Sequence, residues 1–233
     1  MYSKISNILN DINTILVPRL CFGCNALLYR GEEHVCTVCR NQLPLTEYTF
    51  NAENPVDCIF YGRINIIKAS SFLYFTEKGI VKSIIHYLKY KNQEQIGSFL
   101  GNWYGHILKE NNFLKKIDYV IPVPLHRKKL RKRGYNQVAQ FAKSIAEHIH
   151  AEYIDHVLIK TANTRTQTKK SRILRWQNKQ ALYVLSDHDI FKDKNVLLLD
   201  DVITTGATME ACATALSKAK GINIYIASMA VVP

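Results

Sequence analysis

The sequence predicts an α/β fold: a mostly parallel sheet flanked by helices, with a small cysteine-rich module ahead of it. Three observations carry that expectation. From residue 117 onward, apolar strand-like runs alternate with runs at helical spacing, and such alternation implies right-handed crossovers and a parallel sheet. One of those runs, VLLLDD (196–201), ends in two adjacent acids followed by a Thr/Gly loop. Four of the six cysteines fall in two C-x-x-C pairs near the start. We expect two units, residues 1–55 for a helix and the cysteine module, and 56–233 for the sheet domain.

The elements follow in order. Ile5, Ile8, Leu9, Ile12, Ile15 and Leu16 recur at helical spacing, and Pro18 should end that helix. ASSFLYF (69–75) reads as a strand. TEKGIVKSIIHYLKYKN places Ile80, Val81, Ile84, Ile85 and Leu88 on one helical face, and EQIGSFLGNWYGHILKE reads as a second helix. Then come DYVIPVPL as strand, NQVAQFAKSIAEHI as helix, YIDHVLIK as strand and KNVLLLDD as strand. ATMEACATALSKAK reads as a helix that Gly221 should close, and INIYIASMAVV as the last strand.

The chain has 233 residues and a net charge of +12. That balance suits polyanionic partners such as phosphates or nucleic acid, or else a solvated basic surface. No apolar run reaches the roughly 18 residues of a membrane span. The N-terminus carries polar residues within its apolar stretch and no cleavage pattern, so a cytoplasmic location is expected.

Cys21 and Cys24 form one pair, in LCFGCNALL, and Cys36 and Cys39 the other, in EHVCTVCRN, with eleven residues between. In a cytosolic chain this reads as a four-thiolate structural Zn²⁺ site, with a redox pair as the alternative. Four protein ligands leave no open position for chemistry. Gly23 should supply a left-handed backbone at the first knuckle. Cys58 and Cys212 read as small buried hydrophobes.

In an open parallel sheet, ligands sit beyond the carboxyl ends of the strands. Asp200 and Asp201 stand at such an end, and Thr204, Thr205, Gly206, Ala207 and Thr208 lead from it into a helix. Carboxylates accept hydrogen bonds from vicinal hydroxyls. A loop rich in amides and hydroxyls at a helix N-terminus cradles a phosphate. A ribose 5-phosphate has both groups. A merely capped helix would explain one acid or one threonine, not the whole run.

LLLDDVITTGAT resembles the phosphoribosyl-pyrophosphate (PRPP) signature of type I phosphoribosyltransferases. The resemblance implies a type I phosphoribosyltransferase-like fold. It also implies that Asp200 and Asp201 hold the ribose 2- and 3-hydroxyls, while Thr204 to Thr208 bind the 5-phosphate. The cysteine module, HYLKYKN, VIPVPLHRKKLRKRGYNQVAQFAKSIA and RTQTKKSRILRWQN together resemble the ComF family of competence proteins. That family joins a zinc-binding segment to a phosphoribosyltransferase domain. The resemblance implies a part in handling single-stranded DNA during natural transformation, alongside other competence proteins.

Two further loops complete the expected site. PVPLHRKKLRKRGYNQ occupies the place of the superfamily's pyrophosphate loop, with His126 and Arg127 at its head; six of the seven residues from Arg127 to Arg133 are basic. Lys128, Lys129, Arg131, Lys132 and Arg133 suit a nucleic-acid backbone equally well. TANTRTQTKKSRILRWQN matches the superfamily's flexible loop, with Thr166, Gln167, Arg175 and Asn178 fitting the family pattern. Trp176 either stacks a base or packs internally. Three functional classes result. In the first, an enzyme transfers the phosphoribosyl group from Mg²⁺–PRPP, with Asp200, Asp201 and Arg127 as catalytic residues. In the second, a nucleic-acid-binding protein senses PRPP without turnover. In the third, a salvage enzyme acts on a free base.

Overall fold

A computed structural model describes residues 18–110, 116–161 and 182–233. The expected N-terminal helix lies outside them. At the start, α1 (Thr37–Asn41) carries Cys39 and α2 (Pro55–Cys58) opens with an Asn54–Asp57 capping box. Strand β1 (Lys68–Tyr74) precedes α3 (Ile80–Tyr90) and α4 (Gln95–Lys109). Then come β2 (Tyr119–Pro122), α5 (Arg127–Arg133), α6 (Ala139–Ile149) and β3 (Glu152–Tyr153). The short strands β4 (Leu158–Lys160) and β5 (Tyr183–Leu185) follow, then β6 (Asn195–Ile203), α7 (Ala207–Leu216) and β7 (Asn223–Val231).

Five strands form one sheet in the order β1-β7-β6-β2-β3, every pairing parallel. β6 and β7 lie inside it and are buried almost throughout, as a parallel sheet covered on both faces requires. Alternation along β6 sends Leu197 and Leu199 to one face, with α3, α4 and α6, and Val196 and Leu198 to the other, with α7, β4 and β5. On the first face, Gly97, Gly101 and Gly105 recur every fourth residue of α4. A Cβ on Gly101 would stand 2.7 Å from the Phe141 carbonyl oxygen of α6, so the missing side chains let the two backbones approach closely.

Strand β1 is an edge, and an open edge invites foreign pairing. Here the segment after the cysteine module covers it. The Tyr74 amide donates to Pro44 O at 2.8 Å, and the Thr46 amide to Phe72 O at 3.1 Å. Cys21, Val35, Cys36, Cys39 and Leu43 join the same buried cluster as α3 and α4.

Five local expectations need correction. Cys58 is exposed rather than buried, whereas Cys212 is buried. YIDHVLIK is not one strand. The consecutive exposed residues Asp155 and His156 break its alternation, so β3 stays in the main sheet while β4 turns out to pair antiparallel with β5. The basic stretch is not a loop but helix α5. Its long side chains favour helix, His126 caps its start through Nδ1, and Gly134, at φ 87°, ends it. Helix α7 stops at Leu216. Gly221 sits in a later turn at φ 72°, where a Cβ would overlap the Asp193 carboxylate. At the first knuckle the left-handed residue is Asn25, at φ 61°, not Gly23. Among the described residues, no helix is long and apolar enough to cross a membrane.

Candidate functional site

The two acids lie in the carboxyl-terminal half of β6, with Asp201 two residues before its end at Ile203. Both are buried, with 9% and 6% of their surface exposed, so solvent does not satisfy them. Adjacent strand residues point to opposite faces, and the two carboxylates accordingly meet different neighbours. Lys89 Nζ of α3 donates to Asp201 Oδ1 at 2.6 Å, and Gln137 Nε2 donates to Asp201 Oδ2 at 2.6 Å. Asp200 accepts the Asp201 amide at 2.8 Å. Burial first, then the neighbouring Asp201 charge, pushes the Asp200 carboxyl up to about 7; the Asp201 amide, Lys89 and Lys160 pull the other way. Lys160 Nζ of β4 donates to the Tyr183 hydroxyl at 2.7 Å. Burial also holds the Lys160 ammonium below its ordinary range and the Cys212 thiol well above its own.

The chain then turns through Thr204, Thr205 and Gly206 into α7. Gly206 is required twice over: its φ is 72°, and a Cβ would lie 2.7 Å from Ile59 Cγ2 and 2.8 Å from Phe60 Cε1. Among the described residues, Glu210 is the first of the turn whose amide reaches a backbone acceptor, Gly206 O at 2.9 Å. The same turn borders a small cavity of about 50 Å³, lined by Asp200, Thr204, Thr205, Gly206, Ala207 and Thr208 among others. Arg63 braces the turn from outside. Its guanidinium donates to Thr205 O at 2.7 Å and Ile59 O at 2.9 Å, and pairs with Glu210. The arrangement sets a turn rich in amides and threonine hydroxyls beside two carboxylates at one strand end.

Helix α5 leaves Arg127, Lys128, Lys129, Arg131 and Lys132 exposed. Arg133 differs: it is half-buried, stacks over the Tyr90 ring at 5.6 Å and donates to Gln137 Oε1. Thus the last cation of the basic run reaches the partner of Asp201. Thr166, Gln167, Arg175, Asn178 and Trp176 fall outside the described residues.

The four cysteine sulfurs lie within 4.8 Å of one another, and Cys24 Sγ stands 3.8 Å from Cys36 Sγ. Tetrahedral thiolates about 2.3 Å from a zinc ion would be separated by about 3.8 Å, so the spacing fits such an ion. Backbone amides of Gly23 and Cys36 donate to Cys21 Sγ at 3.3 and 3.2 Å. Burial raises the Cys21 thiol, yet the amides of Cys36, Cys24 and Gly23 outweigh it and bring the thiol down to about 7. Gly23 is needed for room, since a Cβ there would meet Cys39 Sγ at 2.9 Å. The described cysteines form no disulfide.

Sequence reasoning missed Lys89, Gln137, Arg63 and Lys160. Two of them left a trace. Lys89 stands four residues after Ile85, at the border of an apolar helical stripe, and Lys160 shares the inward register of Leu158. Arg63 meets Thr205 across more than a hundred residues, and nothing local announces that contact.

The parallel sheet with helices on both faces is of the phosphoribosyltransferase type I-like kind, and residues 137–230 match the model of the phosphoribosyl transferase domain. Over most of its length the chain is similar to competence proteins of the ComF kind and to a DNA utilization protein. Competence protein F of Haemophilus influenzae is 25% identical, over 85% of this chain and 90% of its own length. Competence protein ComFC of Bacillus subtilis is 21% identical, over 85% and 78%. DNA utilization protein YhgH of Escherichia coli K12 is 26% identical, over 87% and 92%. A solved glutamine PRPP amidotransferase from B. subtilis shares 21% identity at a TM-score of 0.45, across 63% of this chain and only 30% of that one.

Proposed function

We propose that this protein binds PRPP and acts as a phosphoribosyltransferase-like component of single-stranded DNA handling in natural transformation. One observation carries the ligand: Asp200 and Asp201 immediately precede the turn Thr204 to Thr208, which lines a small cavity with Asp200. On this reading the acids accept from the ribose hydroxyls, and Thr204 to Thr208 hold the 5-phosphate. His126 and Arg127 face the pyrophosphate, and Thr166, Gln167, Arg175 and Asn178 belong to the covering loop. Bound together with the ligand, Mg²⁺ would supply charge neutralisation to the pyrophosphate. The DNA context is supported by the names of the homologues, two of which are competence proteins and one a DNA utilization protein. Zn²⁺ is the metal proposed for the four cysteines. The protein is placed in the cytoplasm with other competence proteins as partners, and residues 1–55 and 56–233 are taken as its two units.

The test is to titrate the protein with Mg²⁺–PRPP calorimetrically, then to follow pyrophosphate release with candidate bases. Saturable binding that Asp200→Asn with Asp201→Asn abolishes supports the reading, and its absence sinks it. Pyrophosphate release selects an enzyme, including a salvage enzyme acting on a free base. Binding without release selects a PRPP-sensing protein.

A nucleic-acid reading is favoured by the exposed cations of α5. Single-strand binding there should weaken steeply between 50 and 200 mM salt, by about a hundredfold or more for several phosphate contacts. Binding unmoved by salt, or by replacing Lys128, Lys129, Arg131 and Lys132 with Ala, excludes this role.

A further inference from the structure

Asp201 is the better connected of the two acids, and its connections run to cations on two sides. On one side Lys89 Nζ reaches Oδ1 directly at 2.6 Å. On the other, Gln137 reaches Oδ2 at 2.6 Å through Nε2, while its Oε1 accepts from Arg133. A glutamine amide can turn either end outward. With a guanidinium on its oxygen and a carboxylate on its NH₂ group, only one orientation satisfies both. The guanidinium also polarises the amide, which strengthens the bond to Asp201. Arg133 is itself fixed by the Tyr90 ring, one residue along α3 from Lys89. Lys89 and Gln137 each use one lone pair of the carboxylate, and each oxygen keeps a second.

We infer that Lys89, Gln137 and Arg133 are positioning residues: together they fix the Asp201 carboxylate so that its remaining lone pairs stay aimed at the ligand. The inference deepens the PRPP reading and rests on it. It also gives Arg133 a task distinct from that of Arg131 and Lys132, which share its helix but remain exposed. Through its contact with Asp201 Oδ1, Lys89 also stands beside the adjacent acid, Asp200. The charged and titratable groups facing Asp200 are Asp201, Lys89 of α3, Lys160 of β4, Tyr183 of β5 and Cys212 of α7, and of these the two lysines favour its anion.

The experiment uses the full chain. Calorimetry with Mg²⁺–PRPP compares wild type with Lys89→Met, Lys89→Arg, Gln137→Leu, Arg133→Ala and the Gln137→Leu/Arg133→Ala double variant. Carboxyl ¹³C NMR follows Asp200 in the ligand-free protein. Losing a hydrogen bond to a buried charge should weaken binding about tenfold in Lys89→Met and in Gln137→Leu. Lys89→Arg should recover most of it. Because Arg133 acts through Gln137, the double variant should bind no more weakly than Gln137→Leu alone. The Asp200 titration midpoint should rise in Lys89→Met and return in Lys89→Arg. Multiplying losses in the double variant, or an Asp200 midpoint that ignores Lys89, overturns the inference. If wild type itself fails to bind Mg²⁺–PRPP, the ligand reading fails, and the NMR comparison still decides the role of Lys89. Thermal unfolding checks each variant, and Lys89→Gln replaces Lys89→Met should the latter not fold.

Discussion

Asp200 makes a prediction at the scale of one residue. Its carboxyl titrates normally in the unfolded chain but is raised to about 7 when folded. The folded state therefore holds the proton more tightly. That contribution to stability is fully present below about pH 4 and is lost as pH rises toward 7. Asp200→Asn removes the cost of burying the anion. Its melting temperature should exceed wild type at pH 8, and the gap should close by pH 4. A gap independent of pH would mean that the side chain acts through packing instead. Gly206→Ala tests the turn. With φ at 72° and a Cβ 2.7 Å from Ile59, it should cost about 1–3 kcal/mol in urea unfolding. The type of each acid and its place after an apolar run were readable in the sequence. Their environments were not, because Lys89 and Gln137 come from α3 and the approach to α6.

At the scale of elements, the α4–α6 contact depends on three glycines that the helical pattern alone would rank as weak positions. Gly101→Ala should push the helices apart and cost about 1–3 kcal/mol, measured by denaturant unfolding, since the clash is with the Phe141 backbone and no side chain can swing away. Long apolar runs were easy to assign. β6, β7, α3 and α4 fall within a few residues of the expected segments, because burial on a strand or helical stripe imposes a strict period. The misassigned pieces are short or polar. α5 depends on caps at His126 and Gly134, and the break between β3 and β4 depends on which partner strand each piece finds.

At the scale of the molecule, the cysteine segment both feeds the buried cluster under α3 and α4 and covers the β1 edge. Metal removal should therefore do more than unfold the module. Chelation, or Cys36→Ser, should lower the melting temperature of the whole protein in one transition and promote association through the exposed edge; circular dichroism and light scattering check both. A separate low-temperature transition that leaves the sheet intact would show that the two parts fold apart.

The sequence by itself determined the alternation of strands and helices, the thiolate set of the module, and the chemistry available at the end of β6. Each depends on residue type and local spacing, which a chain carries whatever its fold. Only the tertiary structure decided that a cation from α3 pairs with Asp201 while one from the end of α5 holds its partner Gln137, that Arg63 braces the Thr205 turn, and that one acid is ion-paired while its neighbour is buried beside Cys212 and Tyr183. Those contacts join segments far apart in the chain, and no local period records them.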